Sequence, residues 1–349
     1  MSARTDEPGR VLVAMSGGVD SSVAAALLLE RGLDVVGVTL KLWGGESDTG
    51  CCSVADVDDA RSVARRLGIE HHVFNFGDDF EAHVVGPYVR DHAAGRTPNP
   101  CIECNRHLKF DRLLRRADAL GFRTVATGHH ARIVDRPDGT RRVARGRDAA
   151  KDQSYVLHML DQDVLSRVRF PVGSLTKDEV RAIAARLELA TADKPDSQDV
   201  CFITATGGRE RFLADRIPTT PAKVVDTSGT PLGTVPSVEL VTIGQRHGLG
   251  LPGGTAPRYA VSVDVASATV TVGTRADLLT DRVGLIDLKW MAEPVDRPLL
   301  AQASAHGVVR PCRIQGSEVI WDEPARRVAP GQSVVLYEGD EVVGAGQAA

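Results

Sequence analysis

The first 206 residues alternate between short apolar runs and longer stretches of helical periodicity. Apolar runs typical of buried strands lie at 10–15, 33–40, 73–76 and 122–127, and helical spacing covers 21–31, 53–67, 80–92 and 104–120. Strands that alternate with helices in this way predict a parallel, doubly wound α/β sheet.

Turn and capping residues predict three further local features of the same region. Ser53 is the predicted N-cap of the 53–67 helix. The sequence around Pro137–Gly139 predicts the turn of a hairpin over 132–145. Thr176 and Glu179 have the spacing of a capping box, which predicts that a helix begins there.

The pattern changes after about residue 206, where short alternating runs replace the helical spacing. Strand-like runs lie at 259–265, 269–272, 318–321 and 333–337. We therefore predict an α/β domain over 1–206, a small central domain over 207–273 and a β-barrel over 274–349.

Composition places the chain among ordinary globular proteins. It has 349 residues, of which 42% are hydrophobic and 25% charged. Six cysteines are too few for a secreted disulfide scaffold, and the first ten residues lack the apolar core of a signal peptide. The early apolar run 23–29 is far shorter than the ~20 residues that span a bilayer. We therefore expect a cytoplasmic protein with no membrane partner.

The net charge of −4 conceals a basic stretch. Residues 86–151 hold 15 Lys and Arg against 7 Asp and Glu, a local net charge of +8. Two interpretations stay open: an ordinary solvated face, or a surface that binds phosphates. The members singled out are Arg106, Lys109, Arg112, Arg115, Arg116, Arg123, Arg132, Arg141, Arg142, Arg145, Arg147 and Lys151.

The segment 14–22 joins the first predicted strand to the first predicted helix and reads Ala-Met-Ser-Gly-Gly-Val-Asp-Ser-Ser. Gly17 and Gly18 permit close backbone approach, and a helix N-terminus offers unpaired N–H groups to an anion. No lysine follows the glycines, so the segment is not a Walker loop, and it contains no GxGxxG dinucleotide fingerprint. It resembles the pyrophosphate loop of ATP pyrophosphatases, in which Asp20 would hold Mg²⁺ or orient phosphate.

Cysteines form a second group of candidate residues. Cys104 follows Cys101 in a CxxC pattern and precedes a predicted helix in the basic stretch, an environment that favours the thiolate. Spacing alone leaves a redox pair, zinc ligands and iron–sulfur ligands open for the CxxC, with Cys201 as a third sulfur. Cys51, Cys52 and Cys312 are predicted to be small, partly buried residues without a catalytic role.

Six segments in this order resemble the bacterial tRNA-specific 2-thiouridylases over most of the chain. They are Ser16–Ser22, Thr97–Asn105, Ala126–Arg132, Lys151–Tyr155, Asp196–Phe202 and Thr242–Leu249. The resemblance implies the three domains given above. It also implies that ATP adenylates the C2 oxygen of a wobble uridine in tRNA, and that a cysteine persulfide then delivers sulfur and displaces AMP.

The resemblance also assigns individual residues. Cys201 would carry the persulfide, and Cys104 would be the second catalytic thiol, which closes a transient disulfide with Cys201. The sulfur would come from a persulfide-donating carrier protein. ATP would contact Ala14, Met15, Ser16, Gly17, Gly18, Val19, Asp20, Ser21, Leu40 and Gly128. The tRNA would contact Asn99, Pro100, Cys101, His129, Lys151, Asp152, Gln153 and Gln332.

This sequence departs from the family pattern at Cys101, where an aspartate is usual. The change favours an alternative in which Cys101, Cys104 and Cys201 hold a [4Fe-4S] cluster that serves the same thiolation. Residues 303–306 also lack the arginine–aromatic pair usual in the family's barrel. A second alternative is an ATP pyrophosphatase that amidates or ligates a small molecule, and a third is a binding module with a degenerate site.

Overall fold

A computed structural model describes residues 9–42, 54–196, 200–205, 208–252 and 256–349. The chain divides into two compact units. The first comprises Met1–Val84, Cys101–Thr206 and Asp340–Val342, and the second comprises Val85–Pro100, Gly207–Gly339 and Val343–Ala349. The central and barrel portions that the sequence predicts fall together in the second unit, and the predicted domain boundaries stay a prediction.

The first unit is built on a five-stranded parallel sheet. Its strands are β1 (Arg10–Ala14), β2 (Asp34–Lys41), β3 (Glu70–Asn75), β4 (Thr124–Thr127) and β7 (Val168–Arg169), in the order β3-β2-β1-β4-β7. The strand order reverses between β1 and β4. In open α/β sheets the carboxyl ends of the strands at such a point form a crevice that binds ligands.

Helices connect the strands, and the sequence pattern predicted the five longest of the described α-helices but not the shorter ones. The α-helices are α1 (Val19–Glu30), α2 (Val54–Leu67), α3 (Gly77–Phe80), α4 (Gly86–Ala93), α5 (Pro100–Glu103), α6 (Leu113–Ala119), α7 (Gln162–Arg167), α8 (Lys177–Arg186), α9 (Cys201–Ala205) and α10 (Arg209–Ala214). Wider π-helical turns cover Glu81–Val85 and Cys104–Arg112, and 3-10 turns cover Ser154–Leu157 and Ala276–Leu278. Ser53, Cys51 and Cys52 lie outside the described residues.

Helices α1, α2 and α8 pack their apolar faces against β1 and β2. Val13 and Met15 of the first strand region contact α1 residues such as Val23 and Leu28, and all four are at most 2% exposed. Since α1 begins directly after the 16–18 turn, this packing fixes the direction in which the helix N-terminus points.

The predicted hairpin after β4 is confirmed. Strands β5 (Ala131–Asp135) and β6 (Arg141–Arg145) pair antiparallel around the 137–139 turn, with Ile133 opposite Val143. Glu341 pairs with Ala144 on the outer side of β6, which is why a short C-terminal segment belongs to the first unit.

The second unit contains two β-structures. The smaller is a four-stranded sheet of β8 (Ala222–Asp226), β9 (Pro231–Val235), β10 (Tyr259–Asp264) and β11 (Thr269–Gly273), in the order β10-β11-β8-β9. The larger has strands β12 (Leu279–Trp290), β13 (Leu299–Gln302), β14 (Arg310–Gln315), β15 (Glu318–Arg326), β16 (Ser333–Glu338) and β17 (Glu341–Ala348). Strand β12 pairs with both β15 and β17, so this sheet closes into the predicted barrel.

The helix predicted from Cys104 begins earlier, at Pro100. Proline fits the first turn of a helix because its missing N–H has no partner there in any case. The N-terminal turn therefore contains Cys101, and Cys104 lies one turn further along.

Among the described residues, no helix combines the length and the apolar character needed to cross a membrane.

Candidate active site

The turn after β1 is held in shape by its own serines. Ser21 Oγ accepts a hydrogen bond from Ser16 N at 3.1 Å and donates to Gly18 O at 3.1 Å, and Ser22 Oγ donates to the same carbonyl at 2.9 Å. Gly18 is the N-cap of α1 and has no side chain to cap the helix. The first N–H groups of α1 are thus left for an anion.

Close backbone contacts explain two of the glycines in the predicted ATP set. A Cβ on Gly17 would lie 2.3 Å from Asp56 O, and Gly17 has a φ of +73°. A Cβ on Gly128, which follows β4, would lie 2.5 Å from Ser21 N. The carboxyl end of β4 therefore packs directly on the first turn of α1. The predicted ATP residues 14–21 and Gly128 meet at the point where the strand order reverses.

The strand beside the turn contributes main-chain support. Met15 N donates to Val38 O at 2.7 Å, and Thr39 Oγ1 donates to Met15 O at 2.8 Å. Leu40, the remaining predicted ATP residue, is buried near the end of β2.

Asp20, in the first turn of α1, accepts hydrogen bonds from two residues of distant segments. Lys177 Nζ lies 2.8 Å from both carboxylate oxygens, and His130 Nε2 lies 2.9 Å from Oδ1. Burial opposes ionisation of Asp20, but the hydrogen bonds from His130 and Lys177 outweigh it and lower the pKa of the carboxyl. The Asp20 carboxyl is therefore ionised at neutral pH, and its hydrogen bonds hold it in one orientation.

Lys177 is the first residue of α8 and lies within the confirmed capping box, between Thr176 and Glu179. Its ammonium also lies 2.8 Å from Asp196 Oδ1, so one cation bridges two carboxylates. The Lys177 side chain is 10% exposed. The sequence alone did not single out Lys177 or His130 as site residues. The only signal for Lys177 was its position in the capping box, and the only signal for His130 was its position in the Ala126–Arg132 segment.

Several residues predicted to meet tRNA lie near this network. Lys151 Nζ pairs with Asp196 Oδ2 at 2.7 Å. Gln153 Oε1 accepts from His130 N at 2.9 Å, and Gln153 N donates to His130 O at 3.0 Å. Asp152 accepts hydrogen bonds from Arg145 Nη1 at 2.9 Å, from Gly146 N, and from the N and Oγ of Ser154. Its carboxylate therefore ties together the two ends of the 145–154 segment.

His129 is buried rather than presented at the surface. Its ring lies 5.9 Å from Phe110 and 5.8 Å from Phe170, and Thr127 Oγ1 is 2.7 Å from its Nδ1. Burial and the charge of Lys109 lower the pKa of His129 well below its usual value, so the ring is neutral. Its predicted tRNA contact stays a prediction, as do those of Asn99, Pro100 and Gln332, which belong to the second unit.

The basic stretch is largely paired with carboxylates inside the first unit. Nine of the twelve cations singled out have such a partner: Arg106–Glu103, Arg112–Asp79, Arg115–Asp111, Arg132–Asp340, Arg141–Asp135, Arg142–Glu341, Arg145–Asp152, Arg147–Glu179 and Lys151–Asp196. Arg116 stacks on the ring of Phe74 at 5.1 Å. The pairing offsets much of the local positive charge, and a phosphate-binding surface here stays a prediction.

Both candidate thiols belong to the first unit and are half-buried. Phe202, next to Cys201, meets Phe80 of α3 edge to face at 5.5 Å, and Asp79 of α3 pairs with Arg112 at 2.8 Å. Arg112 ends the π-helical segment that Cys104 begins. The two thiol-bearing segments thus contact the same short helix.

The described cysteines form no disulfide, so the Cys104–Cys201 pairing stays a prediction. The fourth described cysteine, Cys312, lies in the barrel core, where burial raises the pKa of its thiol to about 12. That placement confirms a buried residue.

A metal ion or cluster needs several converging ligands. Within the described ranges, no group of three His, Cys, Asp or Glu side chains is arranged to hold a metal ion. An iron–sulfur cluster at Cys101, Cys104 and Cys201 is therefore not shown by the described residues, and it stays an alternative. Both oxygens of Asp20 are engaged by Lys177, and the predicted role of Asp20 toward Mg²⁺ or phosphate stays a prediction.

Three family models match successive parts of this chain. A family model described as "tRNA methyl transferase HUP domain" matches residues 9–205, a "PRC-barrel domain" of the same group matches 210–274, and an "Aminomethyltransferase beta-barrel domain" matches 284–347. The tRNA-specific 2-thiouridylase MnmA of Heliobacterium modesticaldum is 46% identical over 96% of this chain and 91% of its own. The chain belongs to the tRNA-specific 2-thiouridylase family.

A second thiouridylase, from Thermobifida fusca, is 45% identical over 96% of this chain and 94% of its own. A 4-thiouridine synthetase–RNA complex with bound ATP is similar over 57% of this chain and 46% of that one, at 21% identity and a TM-score of 0.38. The matched family models describe methyl transferases, whereas the full-length relatives are thiouridylases. The sequence identity of 45–46% extends over nearly the whole chain, so the chain is assigned to the thiouridylase family. The members of this family are enzymes.

Proposed function

We propose that this chain is a tRNA-uridine 2-sulfurtransferase that uses ATP to replace the C2 oxygen of a wobble uridine with sulfur. One observation carries the proposal: the loop 16–22, its Asp20 and the Lys177 ammonium meet at the crevice of the sheet, in the same unit as both thiols. Family membership supports the substrate, since the relatives are named for thiolation of tRNA.

ATP binding and activation form the first step. The N–H groups of α1 and the ammonium of Lys177 would hold the β and γ phosphates, and the α phosphorus would face the uridine. The uridine O2 attacks this phosphorus and pyrophosphate leaves, so the uridine carries an adenylate at C2. The carbonyl oxygen, a poor leaving group, has then become part of AMP. The base must leave its stack to reach the site.

Sulfur transfer is the second step. A carrier protein first gives Cys201 a persulfide. The terminal sulfur attacks C2, AMP leaves, and the uridine is joined to Cys201 through two sulfurs. The Cys104 thiolate then attacks the Cys201 sulfur, which releases 2-thiouridine and closes a Cys104–Cys201 disulfide. A thiol reductant returns both cysteines to thiols. Closing the disulfide requires the two Cα atoms to come within about 7 Å.

The test measures 2-thiouridine in tRNA by mass spectrometry after incubation with ATP, Mg²⁺ and a persulfide donor. Cys104→Ala and Cys201→Ala should each abolish 2-thiouridine while ATP still binds. Cys312→Ala is the matched control, because that thiol is buried in the barrel core, and it should retain activity. Thiolation by either active-site variant would contradict the assigned roles.

A second measurement separates the alternatives. Radioactive exchange between ATP and pyrophosphate should require tRNA, because the uridine oxygen is the nucleophile. Full exchange without RNA would indicate a small-molecule substrate instead. Iron and sulfide analysis after anaerobic purification tests the cluster alternative directly.

A further inference from the structure

Residues 242–250, which we call the edge loop, lie across both edge strands of the four-stranded sheet. Ala260 N donates to Gln245 O at 2.9 Å, which attaches the loop to edge strand β10. A Cβ on Gly250 would lie 1.9 Å from Thr234 O, so the loop packs directly on the other edge strand, β9. Strand edges expose backbone N–H and C=O groups that need cover. The backbone of the edge loop therefore has a structural role in this sheet.

Two side chains hold the edge loop in one shape. Gln245 Oε1 accepts a hydrogen bond from Thr242 N at 3.1 Å, and Gln245 Nε2 donates to His247 O at 2.8 Å. Arg209 Nη1 donates to Thr242 Oγ1 at 2.8 Å, which ties the start of the loop to α10. A partner that binds this loop would therefore have little backbone left to order, and ordering is one of the main costs of binding.

Arg246 and His247 form the exposed tip of the edge loop. Among the described residues, no carboxylate lies within ion-pair distance of the Arg246 guanidinium. In the stretch 86–151, by contrast, nine of the twelve cations singled out have a carboxylate partner. The sequence agrees, because residues 240–263 contain no Asp or Glu. The charge of Arg246 thus serves neither the loop nor the sheet, and it stays available to an anionic partner.

The strand ladder places a second exposed cation beside the same loop. Lys223 on β8 is the ladder partner of Thr234, on whose backbone Gly250 packs. Lys223 is exposed, and within the part of the chain that the structure describes no carboxylate pairs with it. The edge loop and its neighbouring strand therefore carry two cations whose charge no described side chain neutralises.

We propose that the edge loop binds the sugar–phosphate backbone of tRNA through Arg246, with Lys223 as a second phosphate contact. The proposal rests on the proposed function, which brings a tRNA to this chain, and adds an RNA-binding surface in the second unit. The planar guanidinium of arginine matches two phosphate oxygens at once, whereas the lysine ammonium acts as a point charge. Such contacts fix the position of the RNA without reading its sequence.

The salt dependence of RNA binding counts the phosphate contacts. Fluorescence anisotropy with an unmodified tRNA transcript that has a wobble uridine gives the Kd at each KCl concentration. Arg246→Gln should lower the slope of log Kd against log salt by about one and raise the Kd by about 10-fold. Arg246→Lys should keep the slope and lose less affinity. Arg313→Gln is the control, because that side chain is 73% exposed but faces Asp322 at 3.8 Å, and it should change neither quantity.

Two further variants separate charge from loop shape. Gln245→Ala keeps both cations but removes the bonds that hold the loop, so the Kd should rise while the slope stays at the wild-type value. The double variant Arg246→Gln, Lys223→Gln should lower the slope by about two. A fall of only about one would overturn the contact assigned to Lys223. Thermal unfolding of Arg246→Gln should match wild type, because no described side chain pairs with Arg246.

A wild-type slope and Kd in folded Arg246→Gln would overturn the proposal. Normal tRNA binding together with slower persulfide loading of Cys201 by the carrier protein would also overturn it, and would assign the edge loop to a protein partner. If wild type binds the transcript with the expected slope change in Arg246→Gln but forms no 2-thiouridine, the proposed function fails and the RNA contact stands.

Discussion

The Lys177 ammonium is the group on which the candidate site depends most directly. It lies 2.8 Å from three carboxylate oxygens, two on Asp20 and one on Asp196, and its side chain is 10% exposed. Lys177→Met removes the charge but keeps most of the apolar stem. The substitution therefore isolates the contribution of the cation to folding and to ligand binding.

The cost in stability follows from the surroundings. Removing one partner of a fully buried ion pair costs about 3–5 kcal/mol. Here Asp20 and Asp196 are 30% and 32% exposed, and each keeps other donors, His130 for the first and Lys151 and Arg181 for the second. We therefore expect a loss of only about 1–3 kcal/mol in the free energy of unfolding, after discounting for solvent screening.

The effect on ATP binding should be comparable in free energy to the effect on folding. A hydrogen bond to a charged group contributes about 1.5–3 kcal/mol, which corresponds to about a 10- to 150-fold increase in the Kd for ATP. Calorimetry measures the Kd, and urea unfolding measures the stability. Lys177→Arg keeps the charge and should lose much less affinity. Wild-type affinity in folded Lys177→Met would show that this lysine serves the fold alone and would refute the reasoning.

Three other outcomes are expected. Gly128→Ala should cost about 1–3 kcal/mol of stability and weaken ATP binding, because the new methyl would overlap the backbone of α1, whereas Gly284→Ala, with its nearest neighbour at 3.7 Å, should fold and bind normally. Thr176→Ala removes the cap of α8 and should lower the free energy of unfolding by about 1 kcal/mol in urea titrations. His92, whose pKa burial lowers to about 4, is neutral in the folded state and takes up a proton on unfolding. Its stabilisation is complete above pH 6.5 and falls by at most about 1.4 kcal/mol per pH unit toward pH 4, so His92→Phe should flatten that slope in urea unfolding measured across this pH range.

The excess of positive charge counted over residues 86–151 overstates the unpaired positive charge of that region in the folded protein. The excess of cations in 86–151 is a property of the sequence, but Arg132, Arg136 and Arg142 pair with Asp340 and Glu341 some 200 residues away. A local net charge cannot include partners that only the fold brings near. The electrostatic attraction for RNA must therefore be measured, for example through the salt dependence of tRNA binding.

Sequence by itself determined the local elements of this protein. The apolar run before the glycine turn predicted β1, the Thr176–Glu179 spacing predicted the start of α8, and the 137–139 turn predicted its hairpin. Each depends on backbone geometry within a few residues, so a short window of sequence contains the needed information. The start of the Cys104 helix was wrong by four residues because Pro100 is a good first residue for a helix.

Only the tertiary structure decided how the site is assembled. Asp20, His130, Lys177 and Asp196 come from four segments, and their contacts span as many as 157 residues. Parallel strands must be joined by crossovers, so the carboxyl ends of β1 and β4 become neighbours although more than 100 residues separate them. Local periodicity cannot report such contacts, because they depend on strand order and on the packing of α8 against α1.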